Sequence, residues 1–361
     1  MSSRAKRRTR ALLPPAVLLA LGLAAGLGGC GSVPFQRLGG YVCVPCTDLA
    51  APAGDAFSAA TLSGTRWLYQ LQGASPAQIQ ATDFDIVVLD YSRDGSDEGR
   101  YSAAEMADIR ASGTARQALA YLSIGEAEDY RWYFDPGWLY PFGGQPNGSA
   151  PPWLARTNPD WEGNYKVQYW SDAWQQIVLG YLDRIIDDGF DGVYLDIVDA
   201  FEYWSDEDNG EGYSISEAEA AVRMINFVKR LARHARVERG KADFLIVPQN
   251  GERILDYDTG LQYLGAGDYL AAISGIGVED LYYMETSPIP SGETAGRRTY
   301  LDAVLAAGKK VLAVDYVDNG SRPVGAVVTA FRTSALADGY LPYAARTDRE
   351  LDEINTFPGQ P

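Results

Sequence analysis

The chain reads as an α/β protein built as a single (β/α)8 TIM barrel. Three observations carry that reading. From Arg66 to Tyr343, eight short apolar runs alternate with amphipathic helical runs, the pattern of a parallel sheet wrapped by helices. Several of the apolar runs end in a carboxylate, which is how barrel enzymes present reactive groups at one rim. No Gly-rich phosphate loop follows the first strand, which removes the main argument for an open doubly wound sheet.

Residues 1–29 read as a lipoprotein signal peptide. Arg4, Lys6, Arg7, Arg8 and Arg10 make a basic start, Ala11 to Leu27 is apolar, and Leu27-Gly28-Gly29-Cys30 has the form of a cleavage box with Cys30 as the lipidated residue. The run is short and rich in Gly and Ala, more a signal than a transmembrane anchor. The expected product is an exported, membrane-anchored lipoprotein facing the periplasm or the cell exterior, attached through lipid on Cys30. The chain carries a formal charge of −17, and the signal contains five cations and no acid. An acidic domain of this kind has no use for nucleic acid, whose phosphates demand an excess of Lys and Arg.

Residues 30–63 are rich in Gly, Pro, Ala and Ser and read as a flexible tether. Cys43 and Cys46 lie within it and could close a small disulfide in an oxidising compartment. His234, the one histidine, falls on a basic helix face and reads as solvated.

The barrel is expected over 64–345, with 346–361 a C-terminal tail. Its predicted strands are Arg66–Leu71, Asp85–Asp90, Ala118–Ile124, Gly192–Ile197, Phe244–Gln249, Leu270–Ser274, Val311–Val317 and Tyr340–Tyr343. The clearest helices are Ser102–Ala111, Asp172–Asp188, Ser216–Arg236, Glu293–Ala307 and Val324–Ala337. In the second of these, Trp174, Ile177, Val178, Tyr181, Leu182, Ile185 and Ile186 form one apolar stripe, and Gly189 breaks the helix before Gly192-Val193-Tyr194-Leu195-Asp196. Two connections, Glu126–Trp170 and Phe201–Ser214, are too long for plain links. The first carries twelve aromatic rings, suited to stacking on sugars or to packing the loop onto the barrel.

The predicted strand ends collect acids: Asp90-Tyr91, Gly125-Glu126, Asp196 with Asp199 a turn later, Gln249-Asn250-Gly251-Glu252, Glu279 and Glu285, and Asp315-Tyr316. Asp199 and Asp94 read as local caps. Acids converging without a phosphate clamp fit glycoside hydrolysis, in which one carboxylic acid protonates the leaving oxygen and a second carboxylate attacks or activates water. There is no DxDxDG loop for Ca²⁺, and no G-x-S-x-G elbow with a partner His. Neither a metal nor a cofactor is expected.

FDIVVLDYSRDG, YLSIGEAEDYR, GFDGVYLDIVD and VPQNGE, in this order and spacing, resemble the polygalactosaminidase group of glycoside hydrolases, family 114, over about Trp67 to Tyr343. The resemblance implies a (β/α)8 enzyme that cuts α-1,4-linked galactosamine polymers with two acids, one at the end of strand four and one after strand five. On this chain these fall on Asp196 as nucleophile and Glu252 as general acid/base. Asp90, Tyr91, Glu126, Tyr194 and Asp315 become sugar-binding rim residues, with Asn250 and Glu285 beside them. Glu252 would then need a raised pKa supplied by Asp315 or Glu285. The strand-three motif SIGEAEDYR departs from the Trp-containing version of the characterised polygalactosaminidases, which puts the sugar itself in question. The expectation is a monomeric, endo-acting, retaining glycosidase on a polysaccharide, with a non-catalytic carbohydrate-binding lipoprotein on the same barrel as the alternative.

Overall fold

The computed structural model describes residues 60–111, 116–141, 144–258, 268–322 and 324–356. The predicted signal, Cys30, Cys43 and Cys46 lie outside these residues. Among the described residues no helix is long and apolar enough to cross a membrane.

Eight parallel strands form the barrel wall: β1 (Trp67–Tyr69), β2 (Ile86–Leu89), β3 (Gln117–Ser123), β7 (Gly192–Asp196), β8 (Leu245–Pro248), β9 (Gly275–Glu279), β12 (Lys310–Asp318) and β13 (Leu341–Arg346). Runs such as Ile-Val-Val-Leu in β2 and Leu-Ile-Val-Pro in β8 are buried along their whole length. That is the signature of parallel strands covered on both faces. β1-β2-β3-β7-β8 form one ladder and β9-β12-β13 another. A single bridge, Gln249 to Gly277, joins them on one side. On the other, the Trp67 indole donates to the Leu341 carbonyl at 2.8 Å and packs on Tyr343 with ring centroids 5.6 Å apart.

The connecting helices are α1 (Pro76–Gln80), α2 (Ala103–Arg110), α3 (Asp172–Asp188), α4 (Ala200–Ser205), α5 (Glu217–Arg233), α6 (Tyr269–Ala272), α7 (Ser291–Ala306) and α8 (Ala326–Ala337). α2 starts with a capping box in which Ser102 and Glu105 bond each other's backbone amides. In α3 the predicted stripe is buried, except for Ile177, which is half-buried. The helix stops where Gly189 adopts φ 92°, a left-handed C-cap that a side chain would disfavour.

Two expectations are corrected, and two further segments are seen to pack on the barrel. Leu270–Ser274 is not a strand: the Asp258 carboxylate accepts from the amides of Tyr269 and Leu270 at 2.8 and 3.2 Å and so starts α6, and the sixth strand is β9, a few residues later. A short apolar run cannot be assigned to helix or strand by periodicity alone. Residues flanking 64–345 also pack on the barrel. Leu62 is buried, in the place that a Cβ on Gly275 would enter, and the segment after β13 packs back, with Leu351 accepting from the Leu71 and Gln72 amides and buried Asn355 donating to Ala344. His234 is not simply solvated, because Asp183 and Glu238 hold its two ring nitrogens at 2.7 and 2.9 Å. Finally, the long connection is structured. β4 (Glu126–Glu128), β5 (Leu154–Thr157) and β6 (Asn164–Val167) form an antiparallel sheet in the order β4-β6-β5. Its rings mostly pack: Tyr133 and Trp153 lie 5.5 and 4.9 Å from Trp174, while Tyr140 and Trp161 remain exposed.

This sheet is fastened to the barrel by Arg131, whose side chain is fully buried. The guanidinium grips both oxygens of Asp90 at 2.9 and 2.8 Å and Glu128 at 2.7 Å. Removing one partner of a buried ionic cluster leaves the others uncompensated, which typically costs about 3–5 kcal/mol. Arg131→Met is therefore expected to lower the unfolding free energy by about that amount, read as a lower urea midpoint at unchanged slope.

Candidate active site

Asp196 is the last residue of β7, between β3 and β8 in the ladder. Its Oδ2 accepts from the Tyr121 hydroxyl at 2.6 Å and its Oδ1 from the Ile197 amide at 2.8 Å. The second bond depends on an unusual backbone. Ile197 has φ 59°, a left-handed conformation rare for a β-branched residue and found where surrounding structure enforces it. Part of that enforcement comes from Gly125, where a Cβ would sit 2.2 Å from the Ile197 carbonyl oxygen. The glycine of the SIGEAEDYR motif is thus required by close approach.

Across from Asp196, at the end of β9, stands Glu279. The Tyr316 hydroxyl donates to its Oε1 and the Asn250 amide nitrogen to its Oε2 at 3.0 Å. Asn250 in turn accepts from the Glu279 backbone amide at 2.9 Å, a two-way link made possible by its own φ of 57°. Burial raises the Asp196 carboxyl well above the usual carboxylate range; the Glu279 charge adds to that rise, while Tyr121 and the Ile197 amide pull the other way. Both residues are half-buried rather than fully enclosed.

Beneath them lies a collar of tyrosines. Tyr69 and Tyr194 stack with centroids 5.3 Å apart, and the Tyr69 hydroxyl donates to Gln249 at 3.0 Å. Burial, as the first cause, raises the phenols of Tyr69, Tyr121, Tyr194 and Tyr316 well above their ordinary value. They stay protonated, and those of Tyr69, Tyr121 and Tyr316 act as donors. The Tyr194 hydroxyl finds no partner among the described residues.

The other sequence-predicted residues are mostly engaged in holding the rim. Glu252 follows Gly251 on a 3₁₀ turn (Glu252–Tyr257), is buried, and pairs with Arg297 of α7; the charge felt by Asp196 is that of Glu279. Asp315 is fully buried and accepts from the amides of Leu281, Tyr282 and Tyr283 at 2.9, 3.0 and 2.8 Å. Burial pushes its carboxyl up to about 7 against the pull of those amides. Glu126 is likewise fully buried and held by Asn158, Asn164 and Lys166. Asp90 is committed to Arg131, Tyr91 is buried with its hydroxyl on the Gly95 carbonyl, and Tyr194 lies below the surface. Asn250 faces Glu279, and Glu285 is exposed in the turn between β10 (Tyr283–Met284) and β11 (Ser287–Pro288).

A (β/α)8 barrel with two donor-held carboxyl groups at the C-terminal ends of its strands has the form of a retaining or inverting glycosidase. Residues 49–360 match glycoside-hydrolase family GH114, and the chain belongs to that family. Relatives include a protein of Thermotoga maritima, 44% identical over 295 residues that span 81% of this chain and 84% of the relative, and the Methanocaldococcus jannaschii protein MJ1477, 42% identical over 81% and 78%. The fold is shared with the glycoside hydrolase domain of PelA from Pseudomonas aeruginosa (16% identity, TM-score 0.56, 81% of this chain and 98% of that one). It is shared too with Aspergillus fumigatus Ega3, solved with galactosamine (18%, TM-score 0.57, 81% and 95%).

The Tyr121 bond favours the ionised form of Asp196, so its loss must raise the carboxyl further. A hydrogen bond to a charged group contributes about 1.5–3 kcal/mol, equivalent to roughly one to two pH units. Tyr121→Phe is expected to move the Asp196 titration upward by at least about one unit, measured by carboxyl ¹³C NMR. An unchanged or lower midpoint would contradict this geometry.

Proposed function

We propose that this protein is an endo-acting glycosidase on an α-1,4-linked galactosamine-type polysaccharide, with Asp196 and Glu279 as its reacting carboxyl groups. The observation that carries this reading is the pair of half-buried acids at the ends of β7 and β9, each with a donor on both carboxyl oxygens. A glycosidase needs one protonated and one ionised carboxyl at the same pH. The two residues close their strands at the same rim of the barrel, and the Glu279 charge acts on the Asp196 carboxyl. Asp196 keeps the nucleophile role expected from its strand, with the Tyr121 and Ile197 donors favouring its ionised form against the rise that burial causes. Glu279 takes the acid/base role in place of Glu252, whose charge is already met by Arg297. Tyr121, Tyr316 and Asn250 keep both groups aimed.

Several features support the amino-sugar substrate. The chain is acidic, with formal charge −17, which draws a polymer of protonated amines toward it. Trp161, Tyr140 and Tyr130 are exposed on the added sheet and its approach, available to stack on sugar faces. Ega3, which shares the fold, was solved with galactosamine. Export and anchoring through Cys30, as a monomer acting outside the cytoplasm, are part of the same proposal and rest on the N-terminal pattern.

Asp196→Asn and Glu279→Gln should each lower turnover by about 10³-fold or more while leaving the circular dichroism spectrum unchanged. The assay is mass spectrometry of products released from acetylated and deacetylated galactosamine oligomers, with proton NMR of the first product expected to show retention. Full activity in either variant would remove that residue from the chemistry. Binding without release by the wild-type protein would favour a carbohydrate-binding barrel.

A further inference from the structure

Glu252 and Arg297 form a unit whose place in the fold is not explained by ion pairing alone. The Glu252 side chain is 7% exposed. The Arg297 guanidinium turns its Nε and Nη2 to that carboxylate and its Nη1 to two backbone carbonyls, those of Glu279 at 3.0 Å and Asp280 at 3.1 Å. These carbonyls belong to the proposed acid/base and its neighbour, at the point where β9 ends and the chain turns. Asp280 has φ 47°, so the backbone there is held in a conformation that a non-glycine residue disfavours.

The same turn is gripped from the other side. The Asp315 carboxylate collects the next three amides, Leu281 to Tyr283, and the Thr294 hydroxyl donates to the Leu281 carbonyl at 2.8 Å. The carbonyls of the turn thus face a cation and its amides face an anion. Arg297 and Thr294 both come from α7, so the helix carries both donors that grip the turn's carbonyls. An arginine fits this task because its planar fork can serve a carboxylate on one edge and carbonyls on another. Glu252, arriving from the end of β8, is what fixes that fork in orientation.

We infer that Glu252 and Arg297 are positioning residues for Glu279: they lock the backbone of the turn after β9, so that the Glu279 carboxyl is aimed at the cleft, and Glu252 itself exchanges no proton with substrate. The inference rests on the Asp196–Glu279 reading above. A displacement of about 1 Å in a reacting group can cost about 100-fold in rate, so the clamp should act on kcat far more than on KM.

The test uses the whole protein with a galactosamine oligomer or an activated aryl glycoside on which wild type turns over. Glu252→Gln still offers Arg297 an acceptor oxygen and should lose no more than about tenfold in kcat. Arg297→Lys keeps the charge, but one nitrogen cannot span a carboxylate and two carbonyls, so a larger loss in kcat is expected at nearly constant KM. Glu252→Ala should lose about 100-fold, as should the double variant with Arg297→Ala, because the two residues act as one unit. Azide, a small nucleophile that replaces a missing catalytic carboxylate, should restore Asp196→Ala or Glu279→Ala and leave Glu252→Ala unrestored. If Glu252→Gln is as inactive as Glu279→Gln, or azide restores Glu252→Ala, the clamp is overturned and Glu252 is catalytic. If Asp196→Asn and Glu279→Gln are themselves active, the clamp has no object and both readings fall, an outcome visible before any Glu252 variant is assayed.

Discussion

Two carboxyl groups at one rim of the barrel, those of Asp196 and Glu279, organise much of the polar structure around them, because a half-buried acid must have its oxygens met by donors. Each carboxyl oxygen of the pair receives a donor: Tyr121 and the Ile197 amide on one side, Tyr316 and Asn250 on the other. Neutral phenols suit this task because they supply a hydrogen bond without a counter-charge that would quench the pair's chemistry. Fixed arginines stand one layer back, on backbone carbonyls or on other acids. The left-handed residues Ile197, Asn250 and Asp280 all lie at these strand ends, so the backbone strain is concentrated where the carboxyl groups are aimed.

The other acids of the rim show how a barrel can be rich in carboxylates yet use few of them in chemistry. Asp90 and Glu128 neutralise Arg131 and so fasten the added antiparallel sheet. Glu126 ties β4 to Lys166 of β6 and to Asn158 and Asn164. Asp315 replaces the missing partners of three turn amides. In each case a buried carboxylate is compensated by donors from the chain itself, the condition under which such a group can be kept without a severe desolvation penalty.

Most of the architecture was legible in the sequence because helix and strand periods differ and because β2, β7, β8 and β12 are bounded by clear breaks. Leu270–Ser274 was misread because its fate depends on Asp258, whose carboxylate caps the helix from eleven residues upstream. The site was legible in part. Asp196 stands out as an acid closing a buried run, and Glu279 closes Gly-Ile-Gly-Val in the same manner, a signal equal to that of Gly-Val-Tyr-Leu before Asp196. The expectation for Glu252 comes from the family resemblance, which places the second acid after strand five and carries no information on side-chain direction in this chain. Its orientation toward Arg297 is a contact across 45 residues, invisible to any local pattern. Tyr121 and Tyr316 were hidden for a related reason: a tyrosine in a barrel strand reads as core until its hydroxyl is seen to meet an acid.

The seam between the two ladders gives the site a mechanical character. Asp196 belongs to the five-stranded ladder and Glu279 to the three-stranded one, and at that junction the backbone is joined by the Gln249–Gly277 bridge. A Cβ on Gly277 would lie 1.9 Å from the Tyr194 hydroxyl, so this ring sits as a wedge in the joint. The gap between the two acids is thus set across a boundary between two stiff plates, and the Asn250–Glu279 link spans it like a stay. The angle between the two ladders therefore fixes the spacing of the carboxyls, independently of the geometry within either sheet.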